Sequence, residues 1–191
     1  MKYSNKLNLL FYFTLGYLFL FSILAIFNDN YEFLYYSIVL SVLLFGIVSY
    51  ARKVYFPLEI VAGLVVFELL HILGGNLAFG GVRLYDYWLL EGVRYDNVMH
   101  FLGSFLVGIA AYSLVEPYAK KNVPPVLIWS ILVLIVMGVG ALNEVLEFLA
   151  VVFLGAAERV GDYYNNAVDL VFNLIGGVLA CFGIYWYRKR S

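Results

Sequence analysis

The chain contains two histidines, and each lies a helical step from a carboxylate, in Glu68-x-x-His71 and Asp96-x-x-x-His100. Steps of three and four residues bring side chains to one face of a helix. The same steps align Asp96, His100, Gly103 and Val107; Glu68, His71 and Gly75; Gly140, Glu144 and Glu147; and Asn166, Asp169, Asn173 and Gly176. Helical bundles build metal centres from such inward-facing Glu and His pairs, and a ligating histidine calls for a carboxylate to share its ion or to orient its second nitrogen. The expected metal ligands are His71, His100, Glu144, Glu147 and Asp169, a donor set that suits zinc, manganese or iron. Glu68, Asp96, Asn143, Asp162 and Asn173 are expected at the edge of the same pocket. Glu144 or Glu147 is expected to act as general base. Asp162 or Asn165 also fits the N-cap of the helix that follows, where a short polar side chain accepts an orphan backbone N–H.

These residues must be positioned by elements that live in lipid. Of the 191 residues, 64% are hydrophobic and only 13% are charged, far from the composition of a soluble domain. A crossing helix needs about 20 apolar residues. Six segments supply them: 7–27, 33–50, 57–79, 95–115, 125–154 and 165–187. Strands are not expected to span, because an open sheet edge leaves backbone groups unsatisfied in lipid. The expectation is an all-α, polytopic membrane bundle of six transmembrane helices forming a single membrane domain over residues 1–191. Lys2 and Lys6 precede the first segment, but it is too long for a signal-peptide core and lacks a small-residue cleavage site, so it reads as a retained helix.

Charge orients the bundle. Lys2, Lys6, Arg52, Lys53, Lys120, Lys121, Arg188, Lys189 and Arg190 fall on one side, against Arg83, Arg94 and Arg159 on the other. The positive-inside rule makes the first side cytoplasmic, with both termini there and the protein in the cell (inner or plasma) membrane. On that orientation His100 lies roughly 7 Å inside the outer boundary of its span and Glu147 roughly 10 Å, at 1.5 Å per residue. One polar pocket in the outer half of the membrane is therefore expected. The first two spans carry no ionisable residue in their apolar interiors. Ionisable groups within a membrane are costly and normally face a protein interior. A net charge of −1 with dispersed basic residues speaks against nucleic acid. The single cysteine, Cys181, sits in an apolar run and rules out an intrachain disulfide.

Several segments resemble the YjdF-like family of multipass inner-membrane proteins, and more distantly VanZ-like membrane proteins. The resemblance is carried by His71-Ile72-Leu73-Gly74-Gly75, by Tyr95-Asp96-Asn97-Val98-Met99-His100-Phe101 with Gly103 and Phe105, and by Asn143-Glu144-Val145-Leu146-Glu147-Phe148. Gly161-Asp162 and Asp169-Leu170-Val171-Phe172-Asn173-Leu174-Ile175-Gly176 complete it, so that it covers roughly residues 57–180. It implies a multipass membrane protein without an established activity. The link of VanZ-like proteins to glycopeptide tolerance directs attention to envelope lipids.

Three functions compete for these features. One is a metal-dependent enzyme acting on a lipid or lipid-linked substrate, the ion activating water or polarising an ester or phosphate. A second is a proton or metal-ion transporter with the carboxylates as relay groups, although the inner half of the membrane shows no matching polar path and the two halves no clear inverted repeat. The third is a noncatalytic lipid-binding or assembly protein whose polar network holds helices together.

Overall fold

The computed structural model describes residues 2–54, 56–119 and 123–190, with side chains at all of these except 44, 52, 54, 158, 159 and 190. Lys120 and Lys121, which enter the charge asymmetry, lie outside the described residues, as do the side chains of Arg52, Arg159 and Arg190. Among the described residues six helices are long and apolar enough to cross a membrane. They are α1 (Tyr3–Phe27), α2 (Tyr31–Val54), α3 (Leu58–Asn76), α4 (Tyr95–Val115), α5 (Pro125–Leu154) and α7 (Tyr163–Arg190), with a four-residue α6 (Ala157–Val160) before the last. Pro125 opens α5, where its missing N–H would have no helical partner in any case. The chain divides into two compact units, Met1–Tyr95 and Asp96–Ser191.

In the first unit α1 packs on α2 and α3. Leu7, Leu18, Ala25, Phe33, Val61, Val65 and Ile72 form its buried apolar core. Polar tethers add to the packing: the Tyr17 hydroxyl donates to the Val65 carbonyl at 3.2 Å, and the Asn30 amide to the Gly75 carbonyl at 3.2 Å. Helix α3 stops at Asn76, short of the expected Phe79, because Leu77 turns extended and Ala78–Phe79 (β1) pairs with Val82–Arg83 (β2). Gly80 and Gly81 make that turn with φ of 58° and 81°, angles that favour glycine. A 3-10 turn at Leu84–Asp86 follows, then a second hairpin of Trp88–Leu90 (β3) and Val93–Arg94 (β4). The segment between α3 and α4 thus forms two small hairpins, and its Tyr85 is buried. Arg83 fastens it further, 3.3 Å from Glu32 and 2.8 Å from Asp86.

In the second unit α4, α5 and α7 carry the polar stripes. Helix α5 ends at Gly155, whose φ of 67° gives the left-handed C-cap. Helix α7 starts at Tyr163, two residues before the expected position, because Asp162 Oδ1 accepts the Asn165 backbone N–H at 3.0 Å. That is the N-cap bond expected of Asp162. A core of Ala111, Ile128, Leu132, Cys181 and Ile184 packs one end of the unit.

Two glycines allow the close approaches that bring the polar residues together. A Cβ at Gly140 of α5 would lie 2.5 Å from the Asn173 amide nitrogen of α7, and one at Gly176 would strike the Phe101 carbonyl and come within 2.9 Å of Ser104 Cβ. Membrane helices lack the hydrophobic drive of soluble ones, and small residues at such crossings let backbones and polar side chains meet.

Candidate functional site

His100 is the centre of the polar cluster in the second unit. It sits one turn into α4, and its side chain is only 8% exposed. Nε2 lies 3.5 Å from Asp96 Oδ1 and 3.9 Å from Asp169 Oδ2. Nδ1 lies 3.8 Å from Glu144 Oε1. One ligand atom from each of Asp96, His100 and Asp169 falls within 4.8 Å of the others, and the same holds for His100, Glu144 and Glu147. Nε2 therefore faces Asp96 and Asp169, Nδ1 faces Glu144, and Glu147 completes the group around the imidazole.

The two sides differ in how their oxygens are satisfied. Asp169 is fully buried; its Oδ1 accepts from the Asn97 amide at 2.8 Å and its Oδ2 from the Asn165 amide at 2.7 Å. The Asn165 amide also reaches Asp96 Oδ2 at 3.3 Å, so it ties α7 to α4 and bridges the Asp169 and Asp96 carboxylates. One helical turn deeper, the Ser104 hydroxyl donates to Asn173 Oδ1 at 2.6 Å. On the other side Glu147 accepts a bond from the Asn143 amide at 2.7 Å, its one hydrogen bond among the described residues. Both carboxylate oxygens of Glu144 are buried, and neither has a hydrogen-bond partner among the described residues. Burying a carboxylate without a partner is among the most costly arrangements in a protein. Those oxygens fit a cation that would satisfy them together with the His100 nitrogen.

The remaining expected residues fall as follows. Asn143 supports Glu147 along one helix, and Asn173 lies under Gly140 with its amide nitrogen unpaired among the described residues. Asp162 is exposed and caps α7. Glu68 and His71 belong to the first unit. Glu68 is buried, its Oε1 without a hydrogen-bond partner among the described residues. His71 Nδ1 is hydrogen-bonded by the Tyr85 hydroxyl, within a cluster of rings from Phe33, Tyr36 and Tyr85.

Asn97 and Ser104 are absent from the candidate residues read from the sequence, where Asn165 enters only as a possible N-cap. Their spacing carried the signal: 97, 100 and 104 share one face, as do 165, 169 and 173. Amides and hydroxyls inside apolar runs carry less weight than charges in such a reading, yet in lipid they too need partners.

Six long apolar helices and a largely buried group of histidine, carboxylates and amides define a polytopic membrane protein whose candidate spans are all helices. The chain belongs to the family described as "Predicted membrane protein (DUF2238)", whose model matches residues 7–190. This is the YjdF-like family that its motifs resemble, and the match takes in the first two spans as well. No curated protein and no solved structure matches the chain.

Proposed function

We propose that the protein is a metal-dependent enzyme of the cell membrane, with both termini cytoplasmic, acting on a lipid or lipid-linked substrate. In this reading the second unit holds one divalent ion on the Nδ1 side of His100, with Glu144 and Glu147 as its carboxylate ligands. The single observation that carries it is the pair of buried Glu144 oxygens beside that nitrogen, neither with a hydrogen-bond partner among the described residues. Asp96 and Asp169 stand at the opposite nitrogen, where a carboxylate accepting the Nε2 proton fixes the tautomer that leaves Nδ1 free to bind. Asp169, expected as a ligand, is in this proposal an orienting group, because both its oxygens already accept amide bonds. His71 is proposed to serve the first unit by holding Tyr85.

A bound ion would supply Lewis acidity toward an ester or phosphate oxygen. A glutamate that binds through one oxygen keeps the other to accept a proton, which is the role proposed for Glu147 or Glu144. The mixed nitrogen and oxygen donor set suits zinc, manganese or iron. Lipid is the fitting substrate class, since the cluster lies within helices that cross the membrane.

Metal analysis of the full chain purified gently in detergent tests the ion. Wild-type protein is expected to retain close to one ion per chain, His100→Ala and Glu144→Gln to lose it, and His71→Ala to keep it. Added zinc, manganese or iron should raise the wild-type melting temperature, since a ligand that binds only the folded state stabilises it. If wild-type protein holds no stoichiometric metal and none of the three ions moves its melting temperature, the metal reading fails. Ion flux through the protein in liposomes, without turnover of ester- or phosphate-linked lipids by the metal-loaded form, would replace the enzyme with a transporter.

A further inference from the structure

We infer that the β3–β4 hairpin is a membrane-interface anchor, inserting Trp88, Leu89 and Leu90 into the headgroup boundary of a phospholipid bilayer. These residues are 54%, 45% and 70% exposed. Successive residues of a strand point to opposite faces, so exposure of all three means that both faces of the ribbon tip are open among the described residues. Apolar side chains gathered in this way on an exposed surface mark an interaction site.

Position along the chain identifies the occupant. Trp88 pairs with Arg94, the residue before the first residue of the spanning helix α4, and Leu90 pairs with Val93. The Tyr95 backbone N–H donates to the Tyr87 carbonyl at 3.0 Å, which continues the pairing up to the helix. The tip is therefore no more than roughly 10 Å of chain from Tyr95, where α4 begins, at about 3.3 Å per residue. The polar layers flanking the hydrocarbon core are roughly 5–8 Å thick each, so a ribbon this short reaches at most a few ångströms beyond them.

The chemistry agrees with that depth. Tryptophan is enriched at the membrane interface, and a long basic side chain there lays its stem along apolar surface with its charge toward the headgroups. The Arg94 guanidinium stands 4.8 Å from the centre of the Trp88 ring, an attraction that keeps the cation beside the ring at that boundary. Phe79 and Val82 of the first hairpin, 56% and 45% exposed, extend the apolar surface.

The test uses the full chain in phosphatidylcholine vesicles. Of its three tryptophans, Trp129 and Trp186 are replaced by phenylalanine, leaving Trp88 as the only tryptophan, excited selectively at the red edge of its absorption. Blue-shifted emission, strong quenching by lipids brominated on the upper acyl chain and weak quenching by aqueous acrylamide are expected. A second variant, Leu90→Trp with all three native tryptophans replaced by phenylalanine, reports from the tip and should behave in the same way. Red-shifted emission quenched by acrylamide would put the hairpin in water. Blue-shifted emission unresponsive to brominated lipid would put it against protein. Either result at Leu90→Trp overturns the anchor.

Discussion

Asn97 is the residue on which the order of the polar cluster turns. Its amide is buried and donates to Asp169, linking α4 to α7 beside the histidine. Hydrogen bonds between membrane helices contribute about 0.6 kcal/mol on average and up to about 1.7 kcal/mol. Asn97→Ala is expected near the upper end of that range, because it also leaves a fully buried carboxylate oxygen with one partner fewer. Asn143→Ala should cost less, about 0.5 kcal/mol, since its amide meets Glu147 within one helix and ties no second element. Unfolding of both variants in mixed detergent and dodecyl sulfate micelles measures the difference. Equal losses would mean that the link between α4 and α7 contributes no more than a local contact. Asn97 illustrates what the sequence hides: the spacing of Asp96 and His100 marks their face, but which residue donates to which depends on side-chain geometry across helices 72 positions apart in the chain.

At the scale of the elements, two glycines separate helix propensity from packing. Gly176 faces the α4 backbone, whereas a Cβ at Gly138 of α5 would meet no atom within 4 Å. Gly176→Ala is expected to destabilise the second unit by about 1–3 kcal/mol, as overpacked sites do. Gly138→Ala is expected to be neutral or to stabilise by up to about 1 kcal/mol, the helix preference of alanine. Thermal unfolding of the two variants decides, and a stable Gly176→Ala protein would refute the close approach. The helices themselves were legible because each long apolar run has one structural outcome in lipid. Their ends were less so. Helix α3 stops early because Leu77 leaves the helix toward a hairpin whose short strands carry no sustained alternation, and α7 starts early because Asp162, one of two candidate caps, is the one used.

For the whole molecule, the proposed orientation follows from nine basic residues on one side and three on the other. With the buried Cys181 replaced by serine, a cysteine at Asp86 should react with an impermeant maleimide in intact cells, and one at Asn122 only after permeabilisation. The reverse pattern would invert the topology. The contact between Asn97 and Asp169 also has a consequence in time. The chain is made from its N-terminus, at about 5–20 residues per second. Helix α4, with Asp96, Asn97 and His100, is therefore finished before α7 exists, and the 72 residues between donor and acceptor take roughly 4–14 s to make. Through that interval the second unit is a nascent chain whose intramembrane polar groups lack the helix that satisfies them. The first unit, whose three spans pack on one another, can already be complete. The polar seam of the second unit is thus closed only by the last helix to be made.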